Sequence, residues 1–131
     1  MRNTFFIVTN NPLVLEKLED EGRAYSVIYR PAAYEEILKE VRGWIHRGHV
    51  LLSHPLSGSV KPNETPYKSV LMSSRIGDAE EQSLSVKLIE SALAACGKFQ
   101  RKSDGYGPEI LADFQLIDWT LLESAIGSAA Q

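Results

Sequence analysis

Thr4-Phe5-Phe6-Ile7-Val8-Thr9-Asn10-Asn11-Pro12 is the stretch that decides the fold. Its first six residues form a short, continuous apolar run rich in aromatic and β-branched types, the pattern of a strand buried on both faces. A helix start follows at once. Asn11 offers a side-chain oxygen to the free amides of a first turn, and Pro12 stands at the first helical position, where a missing N–H is no loss. Leu13, Val14, Leu15 and Leu18 then give an apolar stripe, Glu16, Glu19, Asp20 and Glu21 a solvated one, and Gly22 a stop. Strand, tight turn and helix together are the repeating unit of an α/β sheet.

The same unit recurs outward from this point. Ala24 to Tyr29 alternates as a second strand, and Pro31 opens a helix whose Tyr34, Ile37, Leu38, Val41, Trp44 and Ile45 recur at helical spacing until Gly48. Val50 to Ser53 predicts a third strand and Ser69 to Ser73 a fourth. Asp78 with Glu81 three residues on has the form of a capping box. It precedes a long helix with Leu84, Leu88, Ile89, Ala92, Leu93 and Cys96 as its stripe and Gly97 as its end. Gln100 to Gly107 predicts an exposed loop, Phe114 to Ile117 a last strand, and Asp118 the cap of a closing helix from Trp119 to about Ile126.

Strands alternating with helices imply a three-layer α/β domain spanning residues 1–131, with a mostly parallel sheet of about five strands and helices on both faces. The first strand is expected inside the sheet, with the strand order reversing between the first and third strands. Ligands in such sheets bind outside the carboxyl ends of the strands at that reversal. Thr9-Asn10-Asn11 and Ser53-His54 would then face one crevice.

Composition narrows the function classes. The chain has 131 residues, 44% hydrophobic and 24% charged, with a net charge of −3. That is an ordinary globular balance with no general attraction to nucleic acid, so no nucleic-acid partner is expected. The single Cys96 rules out an intrachain disulfide and fits a reducing cytoplasm. The apolar run Phe5–Val8 is far too short to span a bilayer, and no membrane association is expected. His46 and His49 have no cysteine or carboxylate at ligand spacing, so neither a metal nor any other cofactor is expected.

Polar chemistry concentrates where the third strand ends, in His54-Pro55-Leu56-Ser57-Gly58-Ser59-Val60-Lys61-Pro62-Asn63-Glu64-Thr65-Pro66-Tyr67-Lys68. Three prolines and a glycine argue against a helix here, and a long irregular loop in a compact domain is usually functional or disordered. His54 at a strand end suits a general acid or base. Ser57, Gly58, Ser59 and Lys61 bring backbone amides, hydroxyls and a cation, the ingredients of an anion nest, although the Gly-x-x-x-x-Gly-Lys spacing of a P-loop is absent. Asn63, Glu64, Thr65, Tyr67 and Lys68 add an amide, a carboxylate, a hydroxyl, a phenol and an ammonium. At the other segment Asn10 and Asn11 flank a helix amino end whose dipole favours anions, and Asn10 is the better placed of the two to point outward. Each of these groups also has a purely structural reading as a cap, a turn or a surface salt bridge.

Thr9-Asn10-Asn11-Pro12-Leu13-Val14 together with the whole block from His54 to Lys68 resembles the GrdX family, small proteins associated with the glycine, sarcosine and betaine reductase systems of anaerobic bacteria. The resemblance implies context and carries over no catalytic residues. Reductase chemistry of this kind needs selenocysteine or reactive cysteines, and a chain with one Cys96 on an apolar helix face lacks them. The leading expectation is a non-redox accessory protein of such a system that binds a small anionic or zwitterionic ligand at the strand carboxyl ends. Two alternatives stay open: an enzyme acting on a phosphate or acyl group with His54 as acid or base, and an interaction module that docks on a reductase subunit.

Overall fold

In the computed structural model, which describes residues 4–56, 64–98 and 105–129, the chain is laid around β1 (Phe5–Thr9), every residue of which is buried. It runs on through α1 (Pro12–Asp20), β2 (Ser26–Tyr29), α2 (Tyr34–His46), β3 (His49–Leu51), β4 (Ser69–Ile76), α3 (Ala79–Lys98) and α4 (Pro108–Ala129). The strands form one four-stranded sheet in the order β2-β1-β4-β3. As expected, β1 is internal.

The sheet is mixed, which corrects the mostly parallel expectation. β1 pairs in parallel with β2, whereas β4 runs antiparallel to both β1 and β3. The reason lies in the segment after β3. A parallel return needs a crossover to the opposite end of the sheet, usually by a helix, and three prolines in the connecting sequence disfavour one. The chain therefore turns back at the end where β3 finishes and enters the sheet in the opposite sense. β4 takes the place beside β1 that the third strand was expected to occupy, and β3 is left at the edge.

A fifth strand is also absent among the described residues. Phe114 to Ile117 lies inside α4, which Pro108 opens at its first position. A segment of four residues, three of them apolar, does not by itself distinguish strand from helix. Read across the longer span, Phe114, Ile117 and Leu121 recur at helical spacing.

Smaller boundaries shift too. β2 begins two residues late and β3 spans His49–Leu51. β4 continues to Ile76, which pairs with His49 across an irregular register. α2 starts at Tyr34, because Pro31 and Ala32 are not helical and Ala33 is extended, and α3 runs past Gly97 to Lys98. The capping box is formed: Glu81 N donates to Asp78 Oδ1 at 2.8 Å and Asp78 N to Glu81 Oε1 at 3.0 Å. Gly48, with φ +103°, reverses the chain after α2, and a Cβ there would sit 2.9 Å from Ile76 Cγ2, so only glycine fits.

Alternation along the strands divides the core in two. Phe6, Val8, Val70 and Met72 pack with Ile37, Leu38, Val41 and Ile45 of α2 and with Ile89, Ala92 and Cys96 of α3. Phe5, Ile7 and Leu71 point the other way, onto Val14 and Leu18 of α1 and Trp119, Leu122 and Ile126 of α4. The buried line of α3 is Ser85, Ile89, Ala92 and Cys96, while Leu84, expected in that stripe, is 59% exposed. No helix among the described residues is long and apolar enough to cross a membrane.

Candidate functional site

Because β4 runs antiparallel to β1, its first residue meets the last residue of β1: Thr9 pairs with Ser69. The turn into α1 and the approach to β4 therefore share one end of the sheet. Asn10 ties them together. Its Nδ2 donates to the carbonyls of Ala32 and Pro66, both at 2.8 Å, and its Oδ1 accepts from Lys68 N at 2.8 Å. Both amide hydrogens are thus given to backbone. Asn10 is 6% exposed and holds three chain segments in place, which corrects the expectation that it points outward.

Beneath it runs a buried chain of hydrogen bonds. Asn11 N donates to Thr9 Oγ1 at 3.0 Å, Thr9 and Ser69 hydroxyls lie 2.6 Å apart, and Ser69 Oγ donates to Asp118 Oδ2 at 2.6 Å. Since the single Ser69 hydroxyl proton goes to the carboxylate, the Thr9 hydroxyl donates to Ser69. Asp118 also receives Ser69 N at 3.0 Å on Oδ1 and Asn11 Nδ2 at 2.9 Å on Oδ2. Asn11 in turn caps α1 by accepting from Leu13 N at 3.0 Å, and its amide also reaches the Gln115 carbonyl at 2.9 Å. Every link is donor to acceptor toward one carboxylate, the arrangement in which neighbouring hydrogen bonds polarise one another.

Asp118 and Lys68 line one pocket with Tyr34, Thr65, Tyr67, Phe114, Ile117 and Leu121. The free space between these side chains is about 300 Å³ counting the part open to solvent, of which about 20 Å³ admits a whole water molecule. Lys68 is 3% exposed, and burial pushes its ammonium down to about 8 against the opposing pull of Asp118. Burial likewise raises the Asp118 carboxyl, although Ser69, Asn11 and Lys68 all favour its ionised form. Tyr34, only 5% exposed, has its phenol raised by burial and has no hydrogen-bond partner among the described residues. The Tyr67 hydroxyl accepts from Gln115 Nε2 at 2.8 Å, which leaves its own proton to donate.

Of the residues expected at a site, Asn10, Asn11, Thr65, Tyr67 and Lys68 come together at this end. His54 is adjacent through its backbone, whose carbonyl accepts from Lys68 Nζ at 3.5 Å. Its ring is exposed, and Nδ1 accepts from Leu56 N at 3.0 Å, so a neutral imidazole carries its proton on Nε2. Glu64 is half-buried, and its carbonyl accepts from the Tyr106 hydroxyl at 2.8 Å. Thr65 closes a local turn, accepting from Tyr67 N at 3.2 Å. Ser57, Gly58, Ser59, Lys61 and Asn63 lie outside the described residues.

Three polar residues of the site escaped the sequence reading, Tyr34, Ser69 and Asp118, while Thr9 was placed at the crevice without a role. Asp118 was expected as a cap, yet it is in mid-helix and 6% exposed. Its signal is visible once α4 is extended to Pro108. A carboxylate then occupies the same stripe as Leu122 and Ile126, and a buried carboxylate requires partners. Among the described residues no group of three or more His, Cys, Asp or Glu side chains is arranged to hold a metal ion.

Residues 6–127, nearly the whole chain, match the sequence profile of a family described as GrdX-like protein. No curated protein and no solved structure matches the chain.

Proposed function

The chain belongs to the GrdX-like protein family, and from that membership we propose that it is a non-redox accessory protein of an amino-acid (glycine, sarcosine or betaine) reductase system. In this reading it binds the anionic end of a small acid or zwitterion at Lys68. The observation that carries the proposal is Lys68, 3% exposed, lining a narrow pocket together with Tyr34 and Tyr67. A cation taken out of water is costly, and an anionic oxygen entering the pocket recovers part of that cost while taking hydrogen bonds from the phenols. Asp118 on the same wall offers an ammonium its counter-charge, which suits a zwitterion.

Cys96 supports the non-redox part. Burial holds its thiol up at about 11, so at neutral pH it is not the thiolate that reduction chemistry needs.

The test is thermal unfolding with glycine, sarcosine, betaine, acetate and inorganic phosphate. A ligand present at a hundred times its Kd stabilises the native state by about 2.7 kcal/mol, a rise of several degrees. At least one of these probes is expected to raise the melting temperature of the wild type and not that of Lys68→Met. Equal shifts in both proteins, or no shift with any probe, overturn the assignment of binding to Lys68.

A further inference from the structure

We propose that Lys68 is a nucleophile that forms an imine with the carbonyl group of a small oxo-acid. The proposal rests on the anion-binding reading of the same pocket and adds the chemical class of the ligand. Three features of the pocket point to it together. The amine nitrogen belongs to a side chain that is almost wholly buried yet lines the pocket, with Phe114, Ile117 and Leu121 as apolar walls. Desolvation of this kind favours the neutral amine, which is the form that attacks a carbonyl. The lowered proton affinity of Lys68, to about 8, agrees with that environment.

The second feature is a proton donor with nothing else to do. Tyr34 is 5% exposed as a residue and lines the same space, and its hydroxyl makes no hydrogen bond among the described residues; since no fully enclosed polar side-chain atom there lacks a partner, that hydroxyl keeps some accessible surface. Buried phenols ordinarily find a partner, so a ligand oxygen or a water is its natural one. The third is Asp118, whose negative charge favours a cation at this position whether it is an ammonium or an iminium.

The step balances without any redox partner. Neutral Lys68 Nζ attacks the carbonyl carbon, and the π electrons move to the oxygen, which takes a proton from the Tyr34 hydroxyl. The amine proton is lost to water and restores the phenol through solvent. The resulting carbinolamine takes a proton from solvent on its hydroxyl and expels it as water, leaving an iminium, which returns that proton to solvent to give the neutral C=N bond. Amine and carbonyl have become imine and one water. Because the space beside Lys68 is small, glyoxylate, the smallest acid carrying an aldehyde, is the probe of choice.

The experiment is to incubate the full chain with glyoxylate and cyanoborohydride near pH 7.5 and map modified lysines by mass spectrometry. The reductant converts an imine into a stable secondary amine. Lys68 is expected to be modified at least about tenfold faster than the exposed Lys39 and Lys87, and Tyr34→Phe is expected to slow modification of Lys68 by a further factor of about ten or more. Melting temperature with glyoxylate, without reductant, is followed in parallel. A raised melting temperature with no preferential adduct at Lys68 overturns the imine while leaving anion binding intact. No shift and no preferential adduct overturns both. An unchanged rate in Tyr34→Phe removes Tyr34 from the step.

Discussion

Asn11 and Asp118, 107 positions apart, are joined by a 2.9 Å hydrogen bond from Asn11 Nδ2 to Asp118 Oδ2. The residue that starts the first helix is thereby fixed to the middle of the last one. Ser69 N and Oγ complete the junction on the same carboxylate, so α1, α4 and β4 are anchored at one buried group.

Asp118→Ala therefore destabilises the protein strongly. The substitution removes a charge that burial penalises, but it leaves Ser69 N without its acceptor and takes the carboxylate from Asn11 and Lys68. Orphaned buried donors cost about 1 to 3 kcal/mol each, and the expected loss is about 3 kcal/mol by urea unfolding. A cap on a surface helix would cost only about 1 kcal/mol, so a loss that small would mean that Asp118 does not anchor the three elements.

Lys68 gives stability a rising limb in alkaline solution. Folding lowers its proton affinity from 10.5 to about 8. Between these values the unfolded chain binds the proton that the folded one has released, so stability increases with pH. From pH 8 to pH 10 the wild type is expected to gain about 2 kcal/mol relative to Lys68→Met. Unfolding curves of the two proteins at both pH values measure it. Parallel changes in the two would mean that the ammonium is not penalised in the fold.

The third helix distinguishes packing from pattern. Ile89 is fully buried and Leu84 is 59% exposed, although both belong to the apolar set of that helix. Ile89→Ala is expected to cost about 2 to 5 kcal/mol and Leu84→Ala less than about 0.5 kcal/mol in chemical denaturation. Comparable losses would show that Leu84 is covered in solution.

Cys96 reports opening between α2 and α3. Burial raises its thiol from 9.0 to about 11, which alone reduces the thiolate at neutral pH by about a hundredfold. A thiol reagent should label the native protein at least that much more slowly than the protein in urea. Fast labelling of the native state would show that the two helices separate readily.

The helical half of this fold is legible in the sequence because its signals are local. Asn11-Pro12 and Asp78 with Glu81 form the caps that their side chains suggest, and the α2 stripe from Tyr34 to Ile45 is the one that packs. Strand direction is a different kind of property. Nothing in Ser69 to Ile76 encodes an antiparallel approach; the three prolines in the sequence before it, which disfavour a crossover helix, are the only hint. The candidate site was half visible for the same reason. Lys68 and Tyr67 stand in a conspicuous polar loop, whereas Tyr34 and Asp118 sit at positions of helical stripes where an apolar residue or a cap is the simpler expectation. Asn10 was legible as important, but its side chain is spent on Ala32, Pro66 and Lys68, a tie that no local pattern announces.

The division of the core into two sides also imposes a vectorial order on folding during synthesis. Every residue of the Phe6–Val8 side, from β1 through α3, precedes Lys98 in the chain. That side has all its partners before the last helix has been made. The Phe5–Ile7 side must wait for Trp119, Leu122 and Ile126, and the hydroxyls and amide at Thr9, Asn11 and Ser69 must wait for Asp118. A nascent chain thus passes through a stage with one wall of the sheet closed and the other wet, apolar and exposed to neighbours. The final turns of α4 end that vulnerable interval.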